Sequence, residues 1–169
     1  MSKRRIAIIS TGGTIEKTYD QLAGVLSNKV NVLDVMLATL ELEGVEIVRI
    51  PLMNKDSLEM TEQDHLLIAR TAHTMAAAHD GVIIVHGTDR LTTTGDACVA
   101  LGDELRVPIV LTGAMRPYAL RTTDALQNLT EALLAVQLLG AGVYVAMHNQ
   151  VLAFPGVEKD RDRQRFMKR

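Results

Sequence analysis

Five short apolar runs punctuate the chain: Ile6–Ile9, Val45–Ile50, Val82–Val85, Val107–Leu111 and Val143–Met147. Their length and β-branched content read as strands. Their near-continuous apolarity reads as burial on both faces of a parallel sheet. The second run is interrupted by Glu46 and Arg49, which places it nearer an edge, and Pro51 closes it. Between the runs, apolar side chains recur at helical spacing over 30–43, 61–78, 92–105 and 123–139. Thr61-Glu62-Gln63-Asp64 supplies an N-cap for the second helix, and Gly44 and Gly140 follow the first and last as stops. Strict alternation of strand and helix predicts an α/β fold, a flavodoxin-like three-layer sandwich in one domain. Right-handed crossovers give its parallel sheet the strand order 2-1-3-4-5.

Composition narrows the function classes. A length of 169 residues fits one domain with a proper core, and 47% hydrophobic with 22% charged residues is ordinary for a globular protein. A net charge of −2 offers no attraction to nucleic acid or an anionic membrane, and 3% aromatic residues supply no stacking platform for bases. No stretch approaches the length of a membrane span. Met1-Ser2-Lys3-Arg4-Arg5 looks like the start of a signal peptide, but the apolar run after it is too short for one. The single cysteine, Cys98, excludes an intrachain disulfide and fits a reducing, cytoplasmic compartment, with packing as its expected role.

The candidate chemistry lies at the strand ends. In an open α/β sheet, ligands bind beyond the carboxyl ends of the strands. Each of the five strands ends in a polar or glycine-rich segment: Thr11–Thr14, Asn54–Ser57, His86–Asp89, Thr112–Arg116 and His148–Gln150. The switch point between the first and third strands puts Thr14 opposite Thr88 and Asp89. Thr11-Gly12-Gly13-Thr14 could cradle a phosphate, yet it lacks the third glycine of a dinucleotide fingerprint and the Gly-Lys-Ser/Thr of a P-loop. Two facing threonines suggest nucleophilic catalysis instead. A threonine hydroxyl is a poor nucleophile without a base beside it, and a desolvated lysine can serve. Lys17, Lys55 and Lys159 are the candidates outside the N-terminal cluster. His65, His73 and His79 lack the spacing of a metal site, and His86 reads as a packed or capped strand end. The charged run from Lys159 to Arg169 reads by itself as a solvated tail.

These residues resemble the bacterial-type L-asparaginases and glutaminase-asparaginases. The resemblance rests on Thr11-Gly12-Gly13-Thr14-Ile15, His86-Gly87-Thr88-Asp89 and Thr112-Gly113-Ala114-Met115-Arg116-Pro117, in that order. It extends to Asp56-Ser57 and to Val151–Lys159, and so covers nearly the whole chain. It implies hydrolysis of L-asparagine, and more weakly L-glutamine, to the acid and ammonia through a threonine acyl-enzyme, with no cofactor or metal. By the same resemblance Thr14 is the nucleophile, and Thr88, Asp89 and Lys159 are the second threonine and its activating partners. The resemblance also makes Tyr19 a catalytic candidate, as the counterpart of the family's loop tyrosine, though it stands closer to Thr14, in a shorter loop. Gly13, Asp56, Ser57, Gly87, Thr88 and Asp89 match substrate-binding positions, with Ser57 and Asp89 holding the α-carboxylate and α-amino groups. Backbone N–H groups near Thr14 and Thr88 would form the oxyanion hole.

The resemblance divides the chain into a catalytic domain, 1–157, and a charged tail, 158–169, that carries Lys159. The chain ends where the family's second domain should begin, so a short form without that domain is expected. Relatives assemble from several copies, so a homo-oligomer, dimer or tetramer, is expected too. Two other readings stay open. One is an amino-acid-binding or sensor domain that does not turn over. The other is a nucleotide or phosphate binder, suggested by the fold and the Gly-Gly turn alone.

Overall fold

The computed structural model describes residues 2–27, 31–102 and 104–169. In chain order, β1 (Arg4–Ser10) leads through a short turn into a hairpin of β2 (Thr18–Asp20) and β3 (Val25–Ser27). Then come α1 (Val32–Ala38), β4 (Val45–Pro51), α2 (Glu62–Ala76), β5 (Gly81–Val85), α3 (Leu91–Ala100), β6 (Pro108–Thr112), α4 (Ala125–Leu138) and β7 (Gly142–Met147). The chain closes with β8 (Gln150–Ala153), β9 (Val157–Asp160) and β10 (Arg165–Lys168).

The main sheet has the order β4-β1-β5-β6-β7-β8, its first five strands parallel. These five are the apolar runs of the sequence, in the expected 2-1-3-4-5 order with the Glu46/Arg49 strand at the edge. Alternation along each strand divides the core in two. Ile6, Ile8, Ile83, Val85 and Val110 face α1 and α4. Ala7, Ile9, Val82, Ile84, Ile109 and Leu111 face α2 and α3. Helices on both faces complete the three-layer sandwich.

The sixth strand was not foreseen. His148 and Asn149 both adopt left-handed backbone, φ 52 and 60, which makes a two-residue hairpin turn and sends β8 back antiparallel to β7. The Asn149 N–H is held by the Glu131 carboxylate at 2.9 and 3.0 Å.

Helix ends also differ from expectation. The helix read over 30–43 stops at Ala38, because Thr39 turns its hydroxyl onto the Met36 carbonyl at 2.7 Å and the last turn tightens. Val30, the expected start, lies outside the described residues. Gly44, φ 78, therefore introduces β4 rather than ending the helix. The helix read to Leu105 ends at Ala100, where Gly102, φ 66, reverses the chain. Asp103 lies outside the described residues.

The largest correction concerns 158–169. This charged run is no solvated tail: β9 and β10 pair antiparallel, with Lys159 opposite Phe166. Phe166, at 5% exposure, is buried with Val157 and Phe154 in the α2/α3 side of the core. One aromatic side chain anchors the run, while Arg165 and the turn at 161–164 stay exposed and Lys159 and Lys168 find polar partners on the body of the fold.

Candidate active site

Three strand-end turns meet at the carboxyl edge of the sheet, and their meeting depends on missing side chains. Gly13, φ 89, lies so close to Gly87 that a Cβ on it would fall 2.6 Å from the Gly87 N and Cα. A Cβ on Gly87 would in turn sit 2.8 Å from Ser57 Cβ and Oγ. The turn after β1 is thus packed backbone to backbone on the turn after β5, and the Ser57 side chain after β4 seats against the same glycine. Thr11 locks the first turn to the third, giving its N–H and its hydroxyl to the Val85 carbonyl at 3.1 and 2.8 Å. The Lys55 N–H donates to the Thr11 carbonyl at 2.9 Å and locks the second turn.

On this platform Thr14 opens a short 3-10 turn, Thr14–Glu16, and is half-buried. Thr88, buried at 7% exposure, begins the turn that leads into α3. Lys159 arrives from β9. Its ammonium donates to Thr88 Oγ1 at 2.9 Å and to Asp89 Oδ1 at 2.8 Å. The lysine side chain is 10% exposed, so its charge is largely withdrawn from water and leans on this one carboxylate.

The geometry separates the three lysine candidates. Lys17 is paired with Asp56 at 3.1 Å and Lys55 with Asp64 at 2.8 Å; only Lys159 is bonded to a threonine hydroxyl. Asp56 also caps the short turn at Ser57–Glu59 by accepting the Leu58 N–H. That N–H, aided by Lys17, holds the Asp56 carboxyl below its usual range. Ser57 is buried, and its Oγ accepts the Arg90 N–H at 3.3 Å. Glu16, buried beside Thr14, has its carboxyl pushed up by desolvation, with Arg49 opposing. Tyr19 lies in β2 of the hairpin, 61% exposed, opposite Leu26.

The fourth strand end is held in place from below. Burial of Asp124 raises its pKa, but the Met115 N–H, the His148 ring and the Arg116 N–H outweigh this and keep it ionised. The carboxylate receives those two backbone donors at 3.0 and 2.9 Å and His148 Nε2 at 2.6 Å. His148, from the fifth strand end, therefore buttresses the loop after β6. Neither Asp124 nor Lys17 was singled out for these contacts in the sequence. The partners named lie 8 or more residues away and no local motif marks them.

Among the described residues, no group of three or more His, Cys, Asp or Glu side chains is clustered to hold a metal ion. Among them too, no helix is long and apolar enough to cross a membrane. The arrangement can deliver a hydroxyl, a lysine poised against a second hydroxyl, and carboxylate and serine groups for a small polar ligand.

Comparison with known proteins places this geometry. The family model described as Asparaginase, N-terminal, matches residues 5–165. The L-asparaginase of Thermococcus kodakarensis is 27% identical over 155 residues, which cover 92% of this chain and 47% of that protein. A glutamyl-tRNA(Gln) amidotransferase subunit of Methanobrevibacter smithii is 32% identical over 152 residues, covering 89% of this chain and 35% of that one. The solved structure of the thermostable T. kodakarensis L-asparaginase superposes with a TM-score of 0.86, covering 97% of this chain and 51% of that chain. The chain spans about half or less of the length of these relatives.

Proposed function

The chain belongs to the asparaginase family, and on that premise we propose that it is an amidohydrolase that converts L-asparagine to L-aspartate and ammonia through a threonine acyl-enzyme. The observation that carries the reading is Lys159 donating to both Thr88 Oγ1 and Asp89 Oδ1. Thr14 Oγ attacks the side-chain amide carbon, and its proton passes to the leaving nitrogen. The C–N bond breaks, ammonia departs, and an ester to Thr14 remains. Water oriented by Thr88 and Lys159 then attacks the ester, and its proton returns to the Thr14 oxygen as the C–O bond breaks. Backbone N–H groups beside Thr14 and Thr88 stabilise the negative oxygen in both steps. Ser57 and Asp89 hold the α-carboxylate and α-amino groups, with Asp56, Gly13 and Gly87 shaping the pocket, and Tyr19 on the hairpin covers it.

The test is ammonia release from L-asparagine by the wild type and by Thr14→Ala, Thr88→Ala and Lys159→Met. Each substitution removes a member of a unit, so kcat should drop by on the order of 10³-fold or more. Near-wild-type rates in both threonine variants would sink the mechanism. L-Glutamine, one methylene longer, should be the poorer substrate by about 1–3 kcal/mol in kcat/KM. Tight L-aspartate binding by a wild type that releases no ammonia would favour the sensor reading.

A second reading is favoured by the likeness to the amidotransferase protein of M. smithii: the ammonia is handed to a partner protein rather than released. The two separate on the free chain, since an amidotransferase component of that kind should need its partner for full turnover. A cytoplasmic homo-oligomer completes the proposal, and sedimentation of the purified chain measures the second half of it.

A further inference from the structure

A chain of buried polar side chains that the proposed mechanism does not use ends on the turn that carries Thr88. His86 Nδ1 lies 2.7 Å from the Gly87 carbonyl oxygen. His86 Nε2 lies 2.7 Å from Thr94 Oγ1 on α3, and Thr94 Oγ1 lies 2.7 Å from His65 Nδ1 on α2. The two imidazoles stack, with centroids 5.9 Å apart and planes 16° from parallel. None of the three residues exceeds 3% exposure.

The protons have one consistent order. A carbonyl only accepts, so His86 Nδ1 carries a hydrogen. Burial holds the His86 pKa down at about 4, so the ring is neutral and its Nε2 is a bare acceptor. The Thr94 hydroxyl has a single proton and gives it to that nitrogen. It must then accept from His65, whose Nδ1 therefore also carries a hydrogen. Desolvation and the nearby Arg90 lower the pKa of His65 as well, which leaves its Nε2 unprotonated; that atom is buried and has no hydrogen-bond partner. Reversing any link would set two donors or two acceptors face to face.

The far end of this chain acts on a peptide unit. Because the peptide bond is trans, drawing the Gly87 carbonyl toward the His86 ring turns the Thr88 N–H to the opposite side, away from the rings. The same Gly87 backbone is the surface on which Gly13 and Ser57 pack.

We propose that His65 and Thr94 are positioning residues: with His86 they form a one-way hydrogen-bond relay that fixes the His86 tautomer and so holds the Gly87–Thr88 peptide with its N–H free for the reacting carbonyl. This rests on the hydrolase reading for its catalytic consequence, but not for its proton order. Removing the Thr94 hydroxyl leaves the buried His86 Nε2 without its donor, and the ring that anchors the Gly87 carbonyl is no longer held at its far side.

Two measurements on the full chain test the relay. In the wild type, long-range ¹H–¹⁵N spectra of the imidazoles should show His86 and His65 protonated at Nδ1 and bare at Nε2. Kinetically, Thr94→Val should lower kcat about 10- to 100-fold with KM changed less than about threefold, because a lost donor is felt mainly in the transition state. Thr94→Ser, which restores the hydroxyl, should return kcat to within about threefold of wild type. A His86 protonated at Nε2, or a folded Thr94→Val variant with wild-type kcat, overturns the relay. Where Thr94→Val fails to fold, the wild-type nitrogen shifts decide. A wild type with no ammonia release defeats the hydrolase reading, and the relay then stands or falls on the tautomers.

Discussion

His86 shows how one buried side chain ties the site to the pH. Its ordinary pKa of 6.5 is reduced by burial to about 4 in the folded chain. Between those values the unfolded chain binds the extra proton and the folded one does not, so stability rises with pH across that window and is lost on acidification through it. A gap of that size corresponds to about 3 kcal/mol. Asp56 and Asp124, whose carboxyls are held below the usual range, lose their contribution only at still lower pH, below about 3.8. Urea unfolding of the wild type at pH 7 and at pH 4.5 should show the loss, and His86→Gln should flatten it; equal slopes in the two would remove His86 as the cause. At this scale the sequence was legible where a residue sits directly at a strand end, as Thr14, Thr88 and Asp89 do. It was not legible for Lys159 without the family resemblance. Residues alone left three lysines, and what separates them is pairing with Asp56, Asp64 or Thr88 across the fold.

Elements were legible in proportion to how much apolar surface they bury. All five core strands follow from β-branched runs, whereas β2, β3, β8, β9 and β10, of three or four residues each, carry too short a pattern to stand out. The N-terminus of α2 was the best-marked boundary. Thr61 Oγ1 accepts the Asp64 N–H, the Asp64 carboxylate accepts the Thr61 N–H, and Lys55 bonds the same carboxylate. Thr61→Ala should cost about 1 kcal/mol and lower Tm by about 2–4 °C, measured by thermal denaturation, with ammonia release unchanged at 25 °C. The start of α4 is the opposite case. Asp124 stands at its N-cap but makes no cap hydrogen bond from its side chain, since the carboxylate is committed to Met115, Arg116 and His148. Asp124→Ala should therefore act through the loop after β6, lowering activity more than a lost helix cap does; an unchanged kcat would show that this loop does not shape the site.

For the molecule as a whole, the order of the sheet was legible and the way the chain finishes was not. The ladder of β9 and β10 is hydrogen-bonded to itself and is not a member of the main sheet. It is fastened to the body by buried side chains, chiefly Val157 and Phe166, and by Lys168 reaching the Ala153 and Pro155 carbonyls. Truncating the larger anchor, Phe166→Ala, should cost about 3 kcal/mol, read as a reduced urea midpoint. An element joined in this way can detach while the five parallel strands stay intact. Backbone amides of 157–160 and 165–168 should then exchange with deuterium sooner than those of β1, β5 and β6. Because that small ladder delivers Lys159, turnover should vanish at urea concentrations that leave the far-ultraviolet circular dichroism at its native value. The free energy that keeps Lys159 at Thr88 is in this sense smaller than the one that keeps the sheet folded, and the two can be raised independently.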